Sequence, residues 1–459
     1  MLRGLGPLFV FCLLLIAAPA ARADALSEGR GDPFRPPVQS ESAPGPAQAH
    51  PRGAAATPEC PPELACDFVP AAYAENSGPT DWGNYDLAQR EGDGLDIDRI
   101  VIHDTEASYA DTLSIFGNSS SYVASNYVIR SADGFVTQMV PNRDVAYHAG
   151  NYYFNEHSIG IEIEGYALQG NTWYTPAVYK STAALVAYLA KRYDIPLNRR
   201  HIVGHDEIPG PNLTYQAGMH WDPGTFFNWN RLMRLAGAKK TPARALPEVG
   251  DAVVIKPDYA TNEPTVSHCN PGDPHCADLP AQPANFVPLY TSWKPGSSLL
   301  SDPFLSGEAQ EPDGVGTTQA DDWGSKAVSG QTFIVAGVKG DWTAVWYGSQ
   351  KAWFLNPGGE NTAPTKARFI KVAPGKNPIP VWGAAYPSKL QKLSLGYSIP
   401  RGQKYTVHGP VQTDRYQADL FNDLPSYYVQ TDDTVYYEIQ YNHRHGFVQA
   451  KDVALGKTG

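Results

Sequence analysis

DRIVIHDTE, residues 98–106, is a short apolar run that stops on a titratable ring with a cluster of oxygens behind it. Ile100, Val101 and Ile102 read as a buried strand, because β-branched side chains suit a packed, pleated surface. His103 alone is what any strand end can look like. The pattern returns, however, in HIVGHDEIPGP, residues 201–211, where Ile202-Val203 ends on Gly204-His205. GMHWDPG, residues 218–224, then sets His220 and Asp222 two positions apart ahead of a helix. Zinc in a hydrolase takes three nitrogen or oxygen ligands from the protein and leaves the fourth position for water. His103, His205 and Asp222 would suit that set, with rigid strand ends to hold them and Gly204 permitting close backbone approach. Asp222 before Pro223 is equally the pattern of a helix N-cap, so spacing leaves both readings open.

The surroundings are α/β. Strand-like runs recur in RIVIH, SNYVIR, FVTQMV, SIGIEIEG and HIVGH between residues 99 and 205, and SADG, residues 131–134, joins two of them as a hairpin. A helix is expected from the Thr175 cap and Pro176 through Val178, Thr182, Leu185, Leu189 and Arg192, ended by Asp194 and Pro196. A second should follow Asp222-Pro223-Gly224, with Phe226, Trp229, Leu232 and Met233 on one side. In SIGIEIEG, residues 158–165, Ile159, Ile161 and Ile163 face one way and Glu162 and Glu164 the other. A wet sheet face often carries such carboxylates. Beside a metal, one of them could take a proton from water.

Outside this domain the chain divides by composition. Residues 1–23 combine Arg3, an apolar run and Ala21-Arg22-Ala23, a signal-peptide pattern that implies secretion. Residues 24–80 are rich in Pro and Ala and are expected to form a disordered leader. The α/β domain spans 81–237. Residues 238–282 read as a linker, and 283–374 and 375–459 as two all-β modules. VPLYTSWKP at Val287 repeats as IPVWGAAYP at Ile379. WTAVWYGSQKAWF at Trp342 repeats as YYEIQYNHRHGFV at Tyr436. Short strands and Gly-rich turns suggest small barrels. No apolar run after the signal spans a bilayer. Without residues 1–23, 34 of the 36 basic residues remain against 47 acidic ones, a net charge of −13 that argues against nucleic acid. Cys60 with Cys66, and Cys269 with Cys276, form two close pairs that read as disulfides in a secreted chain. His268 and His275 beside the second pair leave a metal knuckle as the alternative.

RIVIHDTE (99–106), AYHAGNYYFNEHSIGIEIEG (146–165), RRHIVGHDEIPGP (199–211) and HWDPG (220–224) stand in one order. In that order they resemble the zinc-dependent N-acetylmuramoyl-L-alanine amidases of the peptidoglycan-recognition type (amidase type 2). The resemblance implies a mixed central sheet flanked by helices, with a groove for the muramyl peptide. It implies hydrolysis of the amide between the lactyl group of N-acetylmuramic acid and L-alanine. It places zinc on His103, His205 and Asp222 and a proton-transferring carboxylate on Glu162, leaving Glu164 structural. His220 stands where well-known members carry a lysine that steadies the oxyanion, and His148 stands where many carry a groove residue, which leaves substrate contact and a supporting role behind the ligands equally open. The chain between Gly210 and His220 is longer than in compact members. The two β modules resemble bacterial SH3-like wall-binding modules, with Trp342, Trp346, Tyr347, Trp353, Tyr436, Tyr437 and Tyr441 as core or as faces for sugars and peptides. The expected partner is peptidoglycan and the expected state a monomer. The alternative is a recognition protein that grips peptidoglycan without cutting it.

Overall fold

The computed structural model describes residues 57–90, 94–269, 276–305, 316–419 and 421–459. Residues 1–23, read as a signal peptide, and residues 24–56 of the expected leader lie outside them. A six-stranded sheet forms the centre. Its order is Cys66–Phe68, Val136–Gln138, Tyr127–Ile129, Ser158–Ile163, Arg99–Asp104, Ile202–Gly204. The three strands that carry the quoted motifs run parallel and side by side. That arrangement buries a strand on both faces and explains why Ile100, Val101 and Ile102 form an unbroken apolar run. The hairpin expected at SADG forms, Tyr127–Ile129 pairing antiparallel with Val136–Gln138 and Gly134 supplying the positive φ of 76°.

One face of the sheet presents Ile100, Ile102, Ile159, Ile161, Ile163 and Ile202 to the helices Pro176–Arg192 and Trp229–Leu235. Thr175 caps the first, its side chain accepting from Val178 N at 3.2 Å, as expected. The second starts later than expected and is capped by Asn228, which accepts from Arg231 N at 2.8 Å. Asp222 is therefore not a helix cap.

The leader needs correction over residues 57–80. Cys66–Phe68 is the edge strand of the central sheet, parallel to Val136–Gln138. Cys60 and Cys66 are bonded, and Glu59 ties in through its N–H to Gln138 Oε1 (2.7 Å) and its carbonyl to Tyr127 O–H (2.8 Å). Main-chain hydrogen bonds hold this segment, so its apolar-poor composition does not report its order. Cys269 and Cys276 are also bonded.

The C-terminal half contains two five-stranded sheets with one topology. The first runs Gln350–Leu355, Trp342–Tyr347, Thr332–Lys339, Ala252–Ile255, Thr362–Thr365. The second runs His445–Gln449, Tyr427–Gln440, Tyr405–Ala418, Arg368–Val372, Val453–Lys457. Ala252–Ile255 falls in the stretch read as linker, and Arg368–Val372 in the stretch read as the first module. The linker is also packed down, with Val266 buried in the helix-side core and Tyr259 donating to Phe226 O at 2.6 Å.

The second sheet does not hang free. Its Tyr436 and Phe447, with Ala384, Ala385 and Tyr386, share a core with Val101 and Val203 of the central sheet and Tyr153 and Phe154 of the helix Tyr152–His157. The other face of the central sheet is thereby closed by the C-terminal half. Among the described residues no helix is long and apolar enough to cross a membrane.

Candidate metal centre

Parallel pairing aligns the carboxyl ends of the three motif strands, the edge at which open α/β sheets bind ligands. His103 sits opposite Glu162 in register, and Gly204 opposite Ile102, so His205 comes level with His103. Asp222 is brought in by its carbonyl, which accepts from Asp206 N at 2.8 Å. His103 Nδ1 lies 3.1 Å from His205 Nδ1, His205 Nδ1 lies 3.0 Å from Asp222 Oδ1, and His103 Nδ1 lies 3.2 Å from Asp222 Oδ2. All three residues are buried. Tetrahedral donors on bonds of about 2.0–2.2 Å stand roughly 3.3–3.6 Å apart, close to the spacing observed.

The hydrogen-bond network settles which nitrogen of His103 faces this cluster. Ser158 Oγ donates its one proton to Phe154 O, so it accepts from His148 Nε2 at 3.2 Å. His148 Nδ1 is then bare and accepts from His103 Nε2 at 3.0 Å. That leaves His103 Nδ1 without a proton, its lone pair directed at His205 and Asp222. Gly160 makes room for the relay, since a Cβ there would stand 2.7 Å from His148 Cγ. Gly204 does the same for the acidic loop, where a Cβ would meet Asp206 Oδ1 at 2.0 Å.

Electrostatics point the same way. Burial, then Asp222 and Asp104, push the Glu162 carboxyl well above the carboxylate range. Burial, then Glu106 and Asp222, push Asp104 up as well. Burial opposes ionisation of Asp222, but the His205 ring 3.0 Å away holds it well below the usual range. Burial lowers His205 and keeps its ring neutral. Buried carboxylates crowded around one point are what a divalent cation would compensate. Glu162 Oε2 and Asp222 Oδ2 are buried without hydrogen-bond partners. The residues fit a metal.

A model of the N-acetylmuramoyl-L-alanine amidase family matches residues 93–225. N-acetylmuramoyl-L-alanine amidase A of Achromobacter lyticus is 30% identical over 187 residues, which is 37% of this chain and 96% of that protein. The chain belongs to the N-acetylmuramoyl-L-alanine amidase family. Solved structures similar to the amidase include the endolysin N-acetylmuramoyl-L-alanine amidase LysCS of Clostridium intestinale, at 19% identity and a TM-score of 0.27 over 38% of this chain and 96% of that one. The hydrolase AmiA of Staphylococcus aureus, solved with its ligand, gives 16% and 0.28 over 38% and 82%.

The structure of the amidase brings His103, His205, Asp222 and Glu162 together, Glu162 Oε1 lying 3.9 Å from His103 Nδ1. His220 stands at the rim, its side chain 57% exposed and its Nδ1 3.7 Å from Asp222 Oδ1. Of the two roles open to His148, substrate contact and support of a neighbouring residue, the structure shows the second. His148 is buried behind His103 and orients that ring. Glu164 is structural, accepting from Tyr109 N at 3.0 Å and Ser131 N at 2.7 Å. Sequence reasoning missed Ser158, which ends the relay. It also missed Asp104, which lies within DRIVIHDTE and is tied to Tyr174 O–H.

His408, Glu438 and His445 also converge. There Arg99 spans both Glu438 oxygens, at 2.9 and 3.2 Å, and His445 Nδ1 meets Oε1 at 2.8 Å. The guanidinium already supplies the positive charge, which makes this an interface ion pair.

Proposed function

We propose that the chain is a secreted, zinc-dependent N-acetylmuramoyl-L-alanine amidase. It cleaves the bond between the lactyl carbonyl of N-acetylmuramic acid and the amine of L-alanine in peptidoglycan. The observation that carries the reading is the convergence of the His103 and His205 rings and the Asp222 carboxylate beside Glu162. His103, His205 and Asp222 would hold the ion, which when bound supplies a Lewis acid and makes water nucleophilic near neutral pH.

The chain's own groups do the rest. Glu162 stands with a free oxygen over the cluster and a high affinity for protons. It takes the proton of the attacking water and returns it to the leaving nitrogen. His220 at the rim donates a hydrogen bond to the oxyanion. His148 and Ser158 hold His103 in the tautomer that leaves Nδ1 free. The intact cluster favours this reading over a recognition protein that only binds. The two five-stranded sheets are proposed as SH3-like wall-binding modules, and the two disulfides support export to an oxidising compartment.

The test is a digest of purified peptidoglycan by the full chain, reading new amino termini and new reducing ends. Alanine amines should be released, should stop with chelator and should return with zinc. Glu162→Gln should lower turnover by about 10²-fold or more while retaining zinc. A Gln variant within a few-fold of wild type would remove Glu162 from its role. Wall binding without cleavage would support the recognition protein.

A further inference from the structure

The turn between the strands Tyr427–Gln440 and His445–Gln449 carries His443 and Arg444 into the amidase domain, 0% and 2% exposed. One guanidinium there serves three backbone carbonyls. Arg444 Nε donates to Asp206 O at 3.3 Å, Nη1 to Gln216 O at 2.5 Å and Nη2 to Met219 O at 3.3 Å. His443 Nε2 lies 3.1 Å from Asp206 Oδ2, and its ring stacks on Trp323 at 4.0 Å. The carbonyls are not a random set. Asp206 follows His205 and donates its N–H to Asp222 O at 2.8 Å. Gln216 and Met219 lie in the segment leading to His220 and Asp222. That segment is tied down again where Leu213 N donates to Ser394 O at 2.9 Å.

We propose that Arg444, assisted by His443, is a positioning residue for the metal centre, clamping the loops that carry His205 and Asp222 so that metal affinity depends on the second C-terminal sheet. This rests on reading His103, His205 and Asp222 as the ligands. The guanidinium is a rigid fork of five donors, so it fixes three carbonyls in angle as well as distance. A lysine offers a single point charge and cannot span them. Without the fork, buried carbonyls lose their partners and the loops relax toward water. A tetrahedral ion tolerates little displacement of its donors.

The experiment compares the full chain with Arg444→Lys, His443→Gln, Thr175→Ala and His205→Ala. Zinc retained against graded chelator is measured together with circular dichroism, and turnover is measured with and without added zinc. Arg444→Lys should keep its fold and hold zinc about tenfold more weakly, with turnover restored by excess zinc. His443→Gln should move the same way by less, and it carries the test if the lysine variant does not fold. Thr175→Ala, a remote helix cap, should hold zinc as wild type does. Folded Arg444→Lys and His443→Gln that retain zinc like wild type would overturn the clamp and leave the metal centre standing. Equal zinc binding by wild type and His205→Ala would overturn the ligand assignment, and the clamp with it.

Discussion

A single proton decides what His103 can do. Ser158 has one hydroxyl hydrogen, and because Phe154 O takes it, each ring nitrogen back to His103 Nδ1 is assigned in turn. The relay lies flat against the Ser158–Ile163 strand only because residue 160 has no side chain. A methyl group there would stand 2.6 Å from Ser125 Oγ and 2.7 Å from His148 Cγ. Gly160→Ala should therefore push His148 away from His103, weaken zinc binding by about 10–100-fold and lower the melting temperature. Metal competition and a thermal melt check this, and unchanged zinc affinity would show that His103 needs no such support. The histidines of the cluster were legible because a polar ring ends an apolar run at His103 and again at His205. His148 could be read as a groove or a supporting residue but not assigned between them, since a partner across neighbouring strands leaves no periodic trace.

Elements were legible where their signals are local. The helix Pro176–Arg192 announced itself by cap, proline and apolar spacing, and its cap offers a clean test. Thr175→Ala should cost about 1 kcal/mol, seen as a small drop in the denaturation midpoint with zinc content and turnover unchanged. A cost near zero would mean that sheet packing, not the cap, fixes where the helix starts. Two elements were hidden for opposite reasons. Cys66–Phe68 lies in an apolar-poor stretch and is held by backbone pairing, to which composition is blind. Asp222-Pro223-Gly224 has the chemistry of a helix start, but its carboxylate is drawn into the histidine cluster and Asn228 caps instead. Local propensity lost there to a tertiary contact.

At the scale of the whole molecule, the internal repeat was visible and its placement was not. Matching motifs 92 and 94 residues apart revealed two copies, yet nothing local says that one sheet lies against the amidase core. The joining pairs are too far apart in sequence to show a pattern, as with Arg99–Glu438 at 2.9 Å and His157–Asp414 at 3.0 Å. The second pair makes the docking sensitive to pH. Burial alone would lower the His157 pKa, but Asp414, with Asp98 and Glu156 beyond it, pushes it up to about 10. A folded pKa above the unfolded value, about 6.5, stabilises the fold fully below that value. The contribution falls as pH rises and is gone above about 10. Comparison of wild type with His157→Gln in urea should thus show a stability difference on the order of 3 kcal/mol at pH 6 that shrinks steadily toward pH 10.5. Glu156, pushed up to about 8 chiefly by its burial and held down in part by Arg415 and the His157 charge, opposes the fold as it ionises, and more so in the variant that lacks that charge. A difference that stays constant from pH 6 to pH 10.5 would mean that His157 packs as a neutral ring and that the ion pair does not hold the second sheet in place.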